Sequence, residues 1–204
     1  MDELRLLTKE ERKRAYNEVF REAFPRAELK PLRAMERMIA AGEYDFWGLF
    51  RDGEPVCFLC NWRDGNYILI DYFCVPKAKR SGGIGSAAIP LMMAQYPEDT
   101  VFIGETEAET GDPEADALIL RRQGLYRRLG AEFMPYDCAL FGVHYRVIAW
   151  AKGGADPEEV MRHHDGIYRR AFPKMLYAAA VQLPLQPGEA VRPMSDWNER
   201  PDEE

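Results

Sequence analysis

The sequence predicts an α/β chain of the α+β type, with a central sheet that begins as an antiparallel meander and carries helices around it. Three observations predict this. Asp52-Gly53 and Asp64-Gly65 separate apolar runs at 44–50, 56–62 and 67–75, and Asp-Gly between apolar runs is a hairpin signal. Apolar residues recur at helical spacing through Ala15, Tyr16, Val19, Phe20, Ala23 and Phe24. A glycine-rich turn, Gly82-Gly83-Ile84-Gly85, then joins the third run to a second helical pattern.

Composition bounds the class. At 204 residues, 47% apolar and 30% charged, the chain is expected to be one soluble domain with a sizeable core. It has no apolar run of about 18 residues and no signal-like start, so a cytoplasmic protein is expected, neither membrane-spanning nor secreted. A net charge of −7 argues against nucleic acid as a partner. Cys57-x-x-Cys60 lies in an expected strand, where a spacing of three puts the thiols on opposite faces, and no second Cys or His pair completes a metal set. Cys57, Cys60, Cys74 and Cys138 therefore read as core thiols and no metal is expected. His144, His163 and His164 read as solvated or half-buried; the adjacent pair diverges on a helix.

In order, residues 4–7 read as an edge strand. Thr8 caps a helix with Glu10 and Glu11 in its first turn, ending near Pro25. A second helix starts at Pro31 and stops at Gly42. The meander follows. The helical pattern 84–96 carries Pro90, whose missing N–H and ring predict a kink or an early break. Residues 100–106 read as a buried strand running into the acidic segment of Glu105, Glu107, Glu109, Asp112, Glu114 and Asp116. Asp112-Pro113 opens another helix, with Ala117, Leu118, Leu125 and Leu129 expected on its apolar side. Strands are expected at 131–140 and 143–150. Gly153-Gly154 breaks the chain, and Asp156-Pro157 opens a helix with Val160, His164, Ile167 and Ala171 at core spacing.

The glycine turn carries the chemistry. Glycines let backbone N–H groups form a nest, and a helix N-terminus adds unpaired N–H groups, so the stretch suits an anion such as a phosphate. No Lys-Ser or Lys-Thr follows Gly85, which excludes a P-loop. Gly83-Ile84-Gly85-Ser86-Ala87-Ala88 fits a dinucleotide fingerprint, with Glu105 placed for a ribose. A preceding meander argues against it, because that fingerprint follows the first strand of a parallel unit. The remaining reading takes Arg80-Ser81-Gly82-Gly83-Ile84-Gly85 as R-x-x-G-x-G.

This last stretch resembles the pyrophosphate loop of the GNAT acyltransferase superfamily. Tyr126 and Gly130 resemble its aromatic-tyrosine-x-x-x-glycine-aromatic segment, with Leu125 and Ala131 departing from the usual aromatics. Ile119 stands roughly where an asparagine is common. Loop, meander and tyrosine helix come in the family's order over residues 1–151, leaving 152–183 as a helical C-terminal extension, available for a homodimer contact, and 184–204 as a disordered tail.

The resemblance implies a mixed, mostly antiparallel sheet flanked by helices, and acetyl transfer from acetyl-CoA, as co-substrate, to a small-molecule or peptide amine. It implies that Ser81, Gly82, Gly83, Ile84, Gly85 and Ser86 hold the pyrophosphate under Arg80. Phe73, Cys74 and Val75 would pair with pantetheine, and a backbone N–H of Cys74 or Val75 would polarise the thioester. Glu107 or Glu105 is the candidate base and Tyr126 the candidate general acid. A non-catalytic acyl-CoA-binding module on the same fold stays open beside the enzyme.

Overall fold

A computed structural model describes residues 2–26, 28–80 and 82–194. Its strands are β1 (Asp2–Leu6), β2 (Tyr44–Arg51), β3 (Glu54–Asp64), β4 (Tyr67–Cys74), β5 (Val101–Glu107), β6 (Glu132–Leu140), β7 (Val143–Trp150) and β8 (Val181–Leu185). They hydrogen-bond in the order β1-β2-β3-β4-β5-β7-β6-β8. The β4–β5 pair is parallel, while β1–β2, β2–β3, β5–β7, β6–β7 and β6–β8 are antiparallel. The helices are α1 (Lys9–Ala15), α2 (Arg21–Ala23), α3 (Leu32–Ala40), α4 (Ile84–Met93), α5 (Pro113–Arg128), α6 (Pro157–Ala171) and α7 (Lys174–Ala180). This is the expected mixed, mostly antiparallel sheet with helices. Two compact units divide it, one holding 2–63 and 70–97, the other 64–69 and 98–194.

In the first unit the β2–β3 turn is the one the sequence predicts. Arg51 faces Glu54 across it, and Asp52 (φ 53°) and Gly53 (φ 82°) are both left-handed, as a type I′ turn requires. Thr8 caps α1 in a full capping box with Glu11. The expected single helix is interrupted by a π turn, Tyr16–Phe20, before α2. Ala15 and Phe20 are the buried residues of this stretch. They stand five apart, which matches the i→i+5 period of a π turn. Phe20 then packs on Phe46, Phe58 and Tyr72 at centroid distances of 5.1, 6.0 and 5.7 Å. At Gly48 the chain runs close to Leu7: a Cβ would lie 2.5 Å from Leu7 Cδ2 and the leucine tip would have to move. Helix α4 runs unbroken through Pro90 to Met93, and the Ala94 N–H bonds the Pro90 carbonyl, so the chain is not broken at the proline; the helix ends three residues short of the expected 96.

In the second unit Phe141 (φ 50°) and Gly142 (φ 84°) make the same kind of turn between β6 and β7. Asp112 caps α5, accepting from the Glu114 and Ala115 N–H groups, and Asp156 caps α6, accepting from Glu158. The apolar side expected for α5 is corrected. Ala117 and Leu118 are exposed, Leu125 and Leu129 are half-buried, and the buried residues are Ile119, Gln123 and Tyr126. The Gln123 Nε2 donates to the Glu107 carbonyl, which lets an amide take a core position.

The chain beyond 180 also differs from the expected disorder after 183. β8 pairs with β6. The buried Gln182 amide donates to Glu189 and to the Ala190 carbonyl, and accepts from the Arg192 N–H. These bonds hold residues 186–192 against the strand. The rest of the expected tail, 195–204, lies outside the described residues.

Candidate functional site

The sequence-predicted residues fall in two groups, one in each unit. In the first unit, β4 closes with Phe73 and Cys74, and Val75-Pro76 leads into a short 3-10 turn, Lys77–Lys79. Arg80 follows, extended and exposed. Its Nε donates to the Val75 carbonyl at 3.1 Å, which ties the end of the loop to the end of the strand. Its Nη groups meet no carboxylate among the described residues. Lys77 and Lys79 are exposed beside it, so the loop is cationic in an acidic chain. Ser81 lies outside the described residues.

Gly83 sits at the N-cap of α4 with φ 70°, a left-handed conformation that favours glycine. Among the described residues the N–H groups of Gly82, Gly83, Ile84, Gly85 and Ser86 meet no backbone acceptor. The first bond of the helix runs from Ala87 to the Gly83 carbonyl. Several donors and the positive end of a ten-residue helix therefore converge on one small region. Ile84 contributes its N–H alone, because its side chain is buried in the core.

The parallel ladder between β4 and β5 holds Tyr67↔Val101, Ile68↔Phe102 and Leu69↔Ile103. The rest of β4, residues 70–74, belongs to the first unit. The Cys74 thiol is buried, and burial pushes it up to about 11 against the pull of Arg80. It stays protonated at neutral pH, which is the wrong state for a nucleophile. Three residues earlier stands a carboxylate that sequence reasoning missed. Asp71, 6% exposed at its side chain, accepts from Lys30 Nζ at 2.7 Å and from the Tyr44 hydroxyl at 2.5 Å. Tyr72 donates to the Glu28 carbonyl and accepts from the Lys30 N–H. The loop before α3 is thus tied to β4 at two successive residues. A lone acid inside the apolar run 67–75 was the available signal.

In the second unit, Glu107, Arg122 and Tyr126 come together. Arg122 Nη1 donates to Glu107 at 2.6 Å, with both side chains nearly half exposed. Tyr126 is buried edge-on against Trp150, with centroids 5.7 Å apart. Burial pushes its phenol up to about 12; Arg122 works against this and Glu107 with it. The Tyr126 hydroxyl has no hydrogen-bond partner among the described residues. Glu105 goes elsewhere. Its Oε1 lies 2.7 Å from His164 Nε2 and accepts from the Tyr168 hydroxyl at 2.8 Å. His164 itself corrects the expectation of a solvated or half-buried histidine, since its side chain is fully buried on α6. Its core position in the helical pattern was legible, but its partner on β5 was not.

The four cysteines are free and buried, as core thiols should be. Among the described residues no helix is long and apolar enough to cross a membrane.

No family model matches this sequence, and no curated protein matches it. Solved structures do match. One is described as a GNAT-family acetyltransferase from Bacteroides thetaiotaomicron, at TM-score 0.66 and 17% identity, covering 79% of this chain and 94% of that one. The ribosomal-protein-S18-alanine N-acetyltransferase of Escherichia coli matches at TM-score 0.54 and 16% identity, over 76% of this chain and 97% of its own. Arabidopsis thaliana NAA60 in complex with acetyl-CoA matches at 0.57 and 13%, over 76% and 100%. At these identities the likeness is one of fold.

Proposed function

We propose, from the GNAT acyltransferase fold that this chain carries, that it transfers an acetyl group from acetyl-CoA to a primary amine. The observation that carries the reading is the start of α4. The N–H groups of Gly82 to Ser86, which meet no backbone acceptor among the described residues, and the Arg80 guanidinium, anchored through Nε and without a carboxylate partner among the described residues, are what a pyrophosphate requires. Ser81 belongs to the same loop in this reading. Phe73, Cys74 and Val75 supply the strand edge for the pantetheine amides, and the Cys74 or Val75 N–H polarises the thioester oxygen as charge develops on it.

The amine nitrogen attacks the thioester carbonyl, the C–S bond breaks, and the CoA thiolate leaves. Tyr126 gives that thiolate its proton. Its phenol holds the proton at neutral pH, and its hydroxyl has no hydrogen-bond partner among the described residues. Glu107 takes the proton of the attacking amine. Glu105 suits this role less, because His164 and Tyr168 already occupy its carboxylate. The structural relatives include an enzyme named for a protein alanine amine, which favours amines as the acceptor class here. One observation favours the alternative of a non-catalytic CoA-binding module: Glu107 is itself paired with Arg122.

A thermal melt with acetyl-CoA, CoA and NADH tests the donor. A ligand at a hundred times its dissociation constant adds about 2.7 kcal/mol, or several degrees at roughly 2–4 °C per kcal/mol for a chain of this size. Both CoA forms are expected to shift the melt and NADH to leave it in place. No shift with CoA removes the proposal. A shift with no acetyl transfer to any amine in a screen leaves the binding module.

A further inference from the structure

We propose that Glu105, Cys138 and His164 form a binding site for a divalent transition-metal ion of the zinc class, inside the second unit. The three come from β5, β6 and α6. A carboxylate, a thiol and an imidazole are the donor types that zinc takes in proteins. No local spacing motif announces them, because each donor arrives on a different element.

The geometry supports one shared ion. One ligand atom from each residue lies within 4.8 Å of the other two. Donors around a tetrahedral zinc stand roughly 3.3–3.6 Å apart, given bond lengths of about 2.0–2.3 Å. Closing onto a common centre asks for side-chain shifts of about 1 Å at most on that scale. His164 Nε2 and Glu105 Oε1, now 2.7 Å apart and joined by a proton, would exchange that proton for the metal. The other ring nitrogen, Nδ1, lies 3.3 Å from the Tyr136 hydroxyl. That contact aims Nε2 at the cluster, as partners outside a metal site commonly do. The Tyr168 hydroxyl donates to the same Oε1 and helps to fix the carboxylate.

Burial and charge point the same way. Cys138 and His164 are fully buried and the Glu105 side chain is 13% exposed. The Cys138 sulfur makes no hydrogen bond among the described residues, although it stands beside a carboxylate. A divalent cation would turn that juxtaposition to use, since thiolate and carboxylate together balance its charge. Binding releases the thiol proton, while the ring proton moves from Nε2 to Nδ1, where it can meet the Tyr136 hydroxyl, so binding weakens as pH falls. The surrounding charged groups are Asp137, beside Cys138 on β6, and its partners His144 and Arg146 on β7.

The test uses the full chain, stripped with a chelator and titrated with Co²⁺, and its readout does not involve acetyl transfer. The expected result is a set of visible bands of four-coordinate cobalt together with a near-ultraviolet thiolate-to-cobalt band. Both saturate at stoichiometric metal and are displaced by Zn²⁺. Cys138→Ser should lose the near-ultraviolet band while far-ultraviolet dichroism stays native. Tyr136→Phe should weaken cobalt binding about 10–100-fold. If Cys138→Ser does not fold, the wild-type titration and Tyr136→Phe still decide. A folded wild-type chain without cobalt bands overturns the site, and so does a thiolate band that survives in folded Cys138→Ser.

Discussion

Tyr126 joins two properties that decide when it can act: its ring is buried against Trp150, and its hydroxyl has no partner among the described residues. Burial raises its pKa to about 12, so the acid form is present below that value and is lost only as pH rises through it. The kcat profile is therefore expected to show no alkaline fall from this group up to pH ~10. Tyr126→Phe should lower kcat by about 10²–10⁴-fold, and a variant with unchanged kcat takes the tyrosine out of the chemistry. Lys30 makes a second residue-scale test. It neutralises a carboxylate that is 6% exposed, and removing one partner of a buried pair costs about 3–5 kcal/mol; the 17% exposure of the lysine side chain places Lys30→Met near the lower end, readable in a urea melt. The positions of Tyr126 and Glu107, whose roles are proposed above, belong to local patterns, one in the last turns of a helix and one at a strand end. The buried pairings of Asp71 and His164 were not legible in the sequence. Each of the two is a single polar residue in an apolar rhythm, and its role depends on Lys30 or Glu105, far away along the chain.

At the scale of elements, α1 and α4 carry their meaning in their first residues. Glu11 is held by Arg5 and by the Thr8 N–H, which together bring it down to about 2 from an ordinary value of 4.5. A depressed carboxylate contributes stability that is complete above its unfolded value and is lost as pH falls through its folded one. Fraying of α1 is thus expected between pH 4.5 and 2, and helical amide signals in Glu11→Gln should lose that dependence. Thr8→Ala removes the cap and should cost about 1 kcal/mol at neutral pH. In α4, Gly83 is left-handed with open space where a Cβ would go. Gly83→Ala should then cost about 1–2 kcal/mol from strain alone, and weaken CoA binding if the loop shifts to relieve it. Caps and turns were readable because they are local: Asp52-Gly53, Thr8 with Glu11, and Asp112-Pro113 each specify their own geometry. The face of α5 was not, because hydrophobicity misreads it. Leu118 and Leu120 are exposed while Gln123 is buried, and the reason is a carbonyl on β5 that only tertiary structure brings into reach.

Over the whole molecule, the meander, the glycine loop and the tyrosine helix were legible in order, whereas the last strand was not. Residues 181–183 read as the end of a helical extension and 184–185 as the start of a disordered tail, whereas in the structure Gln182 gathers Glu189, Ala190 and Arg192. Gln182→Ala should release that segment, and limited digestion with a glutamate-specific protease should then cut after Glu189 faster than in the wild type while the melting transition moves little. The order of strands has a consequence for the chain as it is made. β6 is synthesised before β7, yet in the sheet β7 stands between it and β5. A nascent chain complete to Leu140 therefore holds a strand with no place to dock, and the hairpin must close at Phe141-Gly142 before it can join the sheet. The opposite edge of β6 waits longer, until Val181–Leu185 has left the ribosome. At roughly 5–20 residues per second that edge stays bare for some seconds. A ribosome stalled between Trp150 and Val181 would leave it open to chaperones or to another nascent copy.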